Sequence, residues 1–206
     1  MSQFISSRAA TSVDWQRHFT ALADAIERLQ QGGETTLSSF AGEQSDFIRF
    51  NSGKVRQTGS VSQGKLTLRL IDGARQAYST LTVCGDLQQD LDEVSAALAT
   101  LRAGLRDAAD DPHLLFDTSK WERTTQRSGK LPDPDGLARV VADSAQGLDF
   151  VGFYAGGTIV RGFASTSGSR GWYEVDNFNF SWSLYDPSGR AIKTTYAGDD
   201  WSDAVF

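Results

Sequence analysis

Three side chains in this 206-residue sequence are the natural candidates for metal or nucleophile chemistry: His18, His113 and Cys84. A zinc hydrolase gathers two or three nitrogen or sulfur ligands at short fixed spacings, as in H-E-x-x-H on one helix or a C-x-x-C pair. The three residues lie far apart in the chain and match neither pattern. His18 falls inside an amphipathic run and is expected as a surface or edge residue of a helix. Cys84 ends a strand-like run with no histidine beside it to activate a thiol, so it is expected as a small buried hydrophobe.

Other reaction signatures fail on specific residues. The sequence has no G-x-S-x-G elbow and no G-x-G-x-x-G. Gly59-Ser60-Val61-Ser62-Gln63-Gly64-Lys65-Leu66 has phosphate-loop spacing, but Leu66 stands where magnesium needs a hydroxyl, and a strand-like run follows where a helix is required. Asp110-Asp111 and Asp199-Asp200 read as solvated loop or cap carboxylates. No catalytic or metal residue is therefore assigned.

One charge feature remains. Between Asp46 and Arg75 the sequence has six bases, Arg49, Lys54, Arg56, Lys65, Arg69 and Arg75, against the two acids Asp46 and Asp72, a local +4. Arg49, Asn51 and Arg56 are the candidate contacts for an acidic peptide or partner. The alternative is a solvated sheet face whose charges prevent edge aggregation. Nucleic acid is not expected, because single-strand recognition wants aromatics interleaved in a strongly basic domain and the whole chain is acidic.

These residues must be positioned by regular elements. Val13, Phe19, Leu22, Ile26 and Leu29 recur at helical spacing behind a Ser12 or Thr11 cap, giving a helix over about 12–31 that exits at Gly32-Gly33. From Glu43 to Val83 the period drops to two, and breaks at Asn51-Ser52-Gly53, Gln63-Gly64 and Asp72-Gly73 predict a four-stranded meander. Leu87, Leu91, Val94, Leu98, Leu101 and Leu105 stripe a second helix, and Leu137, Val140 and Val141 a third over about 135–146. Between these two helices the polar 109–134 stretch reads as a surface connection, with a short strand at His113 to Phe116 and a sub-boundary. Five strands should follow, 148–155, 158–164, 171–175, 178–185 and 191–196, turning at Gly156-Gly157 and at Asp186 to Gly189. In the fourth, Phe178, Phe180, Trp182 and Leu184 take one face and Asn177, Asn179, Ser181 and Ser183 the other, so one face packs and the other is left for water or a ligand. The expected fold class is α+β: antiparallel meanders forming two half-sheets in mixed layers, with three helices on one side, in a single domain over 1–206.

Composition narrows the partners. Net charge −6, with 39% hydrophobic and 22% charged residues, describes a folded chain with no long-range pull toward nucleic acid or an anionic membrane. No run of residues is long and apolar enough to span a bilayer, the first residues lack a secretory pattern, and Cys84 alone makes no internal disulfide. These features point to the cytoplasm. The last residues, Asp199 to Phe206, read as a helix cap and first turn that stop short, which suggests a piece of a longer chain.

Two blocks carry a resemblance. Ser45 to Gln57, with Gln63 to Leu70 and Ala77-Tyr78-Ser79-Thr80, resembles the N-terminal region of the TldD/PmbA family. Asp149 to Gly157, Arg161-Gly162-Phe163-Ala164, Phe180-Ser181-Trp182-Ser183 and Tyr196-Ala197-Gly198 are similar to the portion that follows. The resemblance covers about residues 12–201 and implies a bacterial, cytoplasmic peptidase system. In it a TldD-like subunit carries zinc on an H-E-x-x-x-H helix, pairs with a PmbA-like (TldE) subunit lacking that motif, and trims unfolded peptides in an enclosed chamber. The metal motif lies beyond the matched region, so no catalytic residue carries over, this chain alone is expected to be inactive, and zinc belongs to the full-length protein or its partner. Its role is then scaffold, chamber wall and subunit contact, in a homo- or heterodimer. The alternative is a non-catalytic module that binds peptide by strand addition at a sheet edge.

Overall fold

The computed structural model describes residues 13–205. Helix α1 spans Trp15–Arg28 and is capped by Asp14, whose carboxylate accepts from Arg17 N at 3.0 Å. The expected caps Ser12 and Thr11 lie outside the described residues, and Asp14 fills the role two residues later. Three long antiparallel strands follow, β1 (Thr35–Asn51), β2 (Lys54–Asp72) and β3 (Arg75–Val83), then helix α2 (Leu87–Leu105). Strand β4 (Glu122–Arg127) and helix α3 (Pro134–Ser144) precede β5 (Asp149–Ser165), β6 (Arg170–Tyr185) and β7 (Ala191–Gly198).

The α+β class stands, but strand boundaries change. Two predicted turns, Gln63-Gly64 and Gly156-Gly157, are interior to β2 and β5, so each pair of predicted strands is one long strand. Both glycines serve close approach rather than chain reversal. A Cβ on Gly64 would meet the Phe40 ring at 3.0 Å and Val83 at 2.8 Å, and one on Gly157 would sit on the Gln44 carbonyl oxygen. The strand expected at His113 to Phe116 is absent, and Leu115 there is exposed. Strand β4 forms instead, drawn into parallel pairing with the first residues of β6.

The expected half-sheets are one seven-stranded sheet in the order β3-β2-β1-β5-β6-β4, with β7 beside the later part of β6. Pairs other than β4–β6 are antiparallel. Alternation places Phe40, Ile48 and Phe50 of β1 on one face, and all three helices pack there. α1 and α2 close a cluster over Phe40, Leu66, Leu68 and Trp172, while α3 brings Leu137 and Val141 over Ile48, Phe50, Phe150 and Phe180. Each large side chain so buried contributes about 1.5–3 kcal/mol.

The chain end differs from expectation. Lys130 N donates to Asp199 O at 2.6 Å, Trp201 N donates to Lys130 O at 2.8 Å, and the Trp201 ring is buried in the second cluster. Instead of a helix start, a turn closed by Val205 N on Ser202 O follows.

His18 is a second correction. It is buried, not at a surface, and its Nε2 is 2.8 Å from Asp90 Oδ2 on α2. The same carboxylate accepts from the amides of Cys84 and Gly85, both at 2.9 Å, so one side chain ties α1, α2 and the turn leaving β3. Cys84, expected buried, is exposed at that turn.

Candidate functional site

Opposite the helices, the sheet lies bare over most of its area. The pairing register assigns residues to that open face: Lys54, Lys65 and Arg69 on β2, Arg49 on β1, Arg161 on β5, Lys193 on β7, and Arg123 and Arg127 on β4. The acids at paired positions on the same face are Glu43 and Asp149. Eight bases against two acids make a +6 face on a chain of net −6, which leaves −12 for everything else. The local +4 read from 46–75 is thus one part of a wider cationic surface.

One end of this face is covered. Residues 109–121 run from the β3 edge, where Asp111 N donates to Ala74 O and Gln76 Nε2 to Asp111 Oδ2, to the opposite edge, where Arg170 N donates to Trp121 O. Along the way Trp121 stacks on Phe163 with ring centroids 5.5 Å apart. The polar connection is a strap across the sheet.

At the other end lies a trough of about 920 Å³, lined by Arg49, Asn51, Arg56, Gln57, Val151, Phe153, Ser181, Ser183, Lys193 and Thr195 among others. All three sequence-derived candidates, Arg49, Asn51 and Arg56, border it. Two rows cross the strands here: Gln57, Arg49, Phe153, Ser181 and Thr195, then Asn51, Val151, Ser183 and Lys193. The Arg49 guanidinium lies 5.7 Å from the Phe47 ring centroid and 5.5 Å from that of Phe153, which fixes its position while leaving its charge unpaired by any acid among the described residues. Arg56 owes its place to a bulge: Arg49 pairs with Gln57 and Phe50 with Val55, so Arg56 is the extra residue, turned toward the trough. No carboxylate lines the trough.

Lys193 was missed because, although its strand was expected, it lies more than a hundred residues from the basic 46–75 stretch. It reaches the site only through pairing with Ser183. A second aromatic joins Phe47 on this face from another strand, Phe153 of β5, whereas the Trp182 ring packs on the opposite face against Phe180. Exposed Phe153 and Val151 form the apolar floor between the cations.

The residues here do not assemble a zinc site. Among the described residues no three of His, Cys, Asp and Glu come together, and Asp90, the partner of His18, already serves two backbone amides. Among the described residues, no helix is long and apolar enough to cross a membrane.

No protein-family model matches the sequence, and no match to a curated protein is found. Solved structures do share the fold. TldE from Thermococcus kodakarensis aligns with a TM-score of 0.63 at 13% identity, covering 89% of this chain and 43% of that one. A protein from Thermotoga maritima described as a candidate modulator of a DNA gyrase aligns at 0.60 with 11% identity, over 90% of this chain and 44% of that one. A similarly described protein from Bacteroides thetaiotaomicron aligns at 0.59 with 16% identity, over 90% and 45%. The chain spans less than half the length of each. The fold expected from the TldD/PmbA resemblance is the fold this chain has.

Proposed function

We propose that this chain is the non-catalytic sheet domain of a TldD/PmbA-like peptidase subunit, working in the cytoplasm as wall and contact surface for unfolded peptide or a homologous subunit. Zinc-dependent cleavage belongs, in this reading, to residues outside this chain. The observation that carries it is the asymmetry of the sheet: three helices bury one face, while the other presents a cationic trough with an apolar floor. The fold likeness to TldE supports the family context.

The test is titration of the chain with a fluorescently labelled unfolded peptide, followed by anisotropy. The double variant Arg49→Glu, Arg56→Glu should weaken binding at least tenfold with far-ultraviolet circular dichroism unchanged, since both side chains are exposed. Unchanged affinity in a folded variant would remove the open face from the function. Binding would then fall to the outer edge of β3, where strand addition depends on backbone groups and ignores side-chain charge.

A further inference from the structure

The trough's charges are spaced, and the spacing selects. Arg49 lies on β1 and Lys193 on β7, with β5 and β6 between them, three strand spacings or about 14 Å across the sheet and two residues or about 7 Å along it, about 16 Å in all between backbone positions, from which the long Arg49 and Lys193 side chains reach inward. Arg56 on β2 extends the positive end beyond β1, and Phe153 and Val151 of β5 lie between the poles, one strand from Arg49 and two from Lys193. An extended peptide laid across the strands advances about 3.3 Å per residue, so side chains i and i+4 sit about 13 Å apart and point the same way. The side chain at i+2 faces the sheet midway between them.

We infer that the trough takes an extended acidic segment running across the strands, with carboxylates at i and i+4 on the Arg49/Arg56 and Lys193 poles and an apolar side chain at i+2 on Phe153 and Val151. This names the peptide class for the site and rests on the reading of that face as peptide-binding. Charge complementarity supports it: three cations border the trough without a lining acid. Two further features favour a short acidic peptide over nucleic acid. The Arg49 guanidinium lies over the Phe47 and Phe153 rings, which base stacking would need free, and the −12 carried elsewhere repels a long polyanion. The Ser183 hydroxyl adds a neutral donor for a peptide backbone, while Ser181, whose proton goes to Asn179 Oδ1, offers an acceptor.

The experiment is fluorescence anisotropy with labelled ten-residue peptides on the whole chain. One carries glutamates four residues apart flanking a leucine, the second has lysines in their place, and the third has the glutamates adjacent. The first should bind at least tenfold tighter than either control and weaken as salt rises from 50 to 300 mM. Lys193→Glu should erase most of that preference, and Lys193→Gln about half, with the circular dichroism spectrum of each unchanged. Equal binding of all three peptides would overturn the inference while leaving the peptide-binding domain intact. Binding of none would overturn both. Displacement of the acidic peptide by oligothymidylate at lower concentration would reassign the face to nucleic acid. Self-association in sedimentation that Lys193→Glu abolishes, without peptide binding, would reassign it to a second copy; either result ends the peptide proposal.

Discussion

Replacing Asp90 with alanine should lower the stability of this fold by about 3–5 kcal/mol. Asp90 is 1% exposed and serves three donors, His18 Nε2 and the amides of Cys84 and Gly85. Each buried donor left unmet costs about 1–3 kcal/mol. The two amides lie at a partly exposed turn and regain water, so the total stays near the lower end of that sum; the His18 ring, sealed between α1 and α2, does not. For a chain of this length each kcal/mol moves Tm by about 2–4 °C, so the variant should melt roughly 6–20 °C lower. Urea unfolding followed by the fluorescence of the five tryptophans reads the change, with an unaltered m-value showing that the same surface is exposed. Asp90→Asn keeps the shape and one acceptor oxygen, and should recover at least half of the loss. A loss under 1 kcal/mol for the alanine variant would refute the view that this carboxylate fastens α1 to α2.

Other outcomes can be checked alongside. Gly157→Ala should cost about 1–3 kcal/mol or more, because its Cβ would collide with the Gln44 carbonyl, whereas Gly104→Ala on α2, with open space around it, should gain about 0.5–1 kcal/mol; denaturant midpoints separate the two. Burial pushes the Glu34 carboxyl up, but the Arg102 guanidinium, at 2.6 Å, and the Gln31 N–H bring it below its ordinary 4.5. Its folded value is the lower one, so its contribution is full above about pH 4.5 and fades as pH falls through the folded value; Glu34→Gln should flatten the acid side of the stability profile there, and an unchanged profile would contradict the assignment. Dialysed protein should hold no stoichiometric zinc by elemental analysis, and one tight equivalent lost on replacing His18 or His113 would overturn that expectation.

Local signals revealed the helices and the two-faced strands, because α2's leucine stripe and the Phe178 to Leu184 alternation are set by direct burial against one neighbour. Glycine misled the strand boundaries. Gly64 and Gly157 carry the composition of a turn, but the reason for them is a ring or a carbonyl on an adjacent strand, distant in sequence. Strand β4 was invisible since all its residues but Thr125 are exposed and no apolar alternation marks it. Half of the site was legible on the same grounds: Arg49, Asn51 and Arg56 lie close together in sequence. Lys193 and Phe153 join them only through register, which a linear reading does not contain.

The central pairing of β1 with β5 sets a timetable for synthesis. The 97 residues from Ser52 to Leu148 must be made before the first residue of β5 exists. At about 5–20 residues per second that is an interval of roughly 5–20 s on the ribosome. During it β1 can pair with β2 on one side only, and its other backbone edge, 17 residues long and bearing Ile48 and Phe50, has no cognate strand. A nascent chain in this state offers a template to any extended neighbour, including another copy of itself. The interval between synthesis of β1 and of β5 is therefore the stretch of this chain's making in which its central strand is open to mispairing.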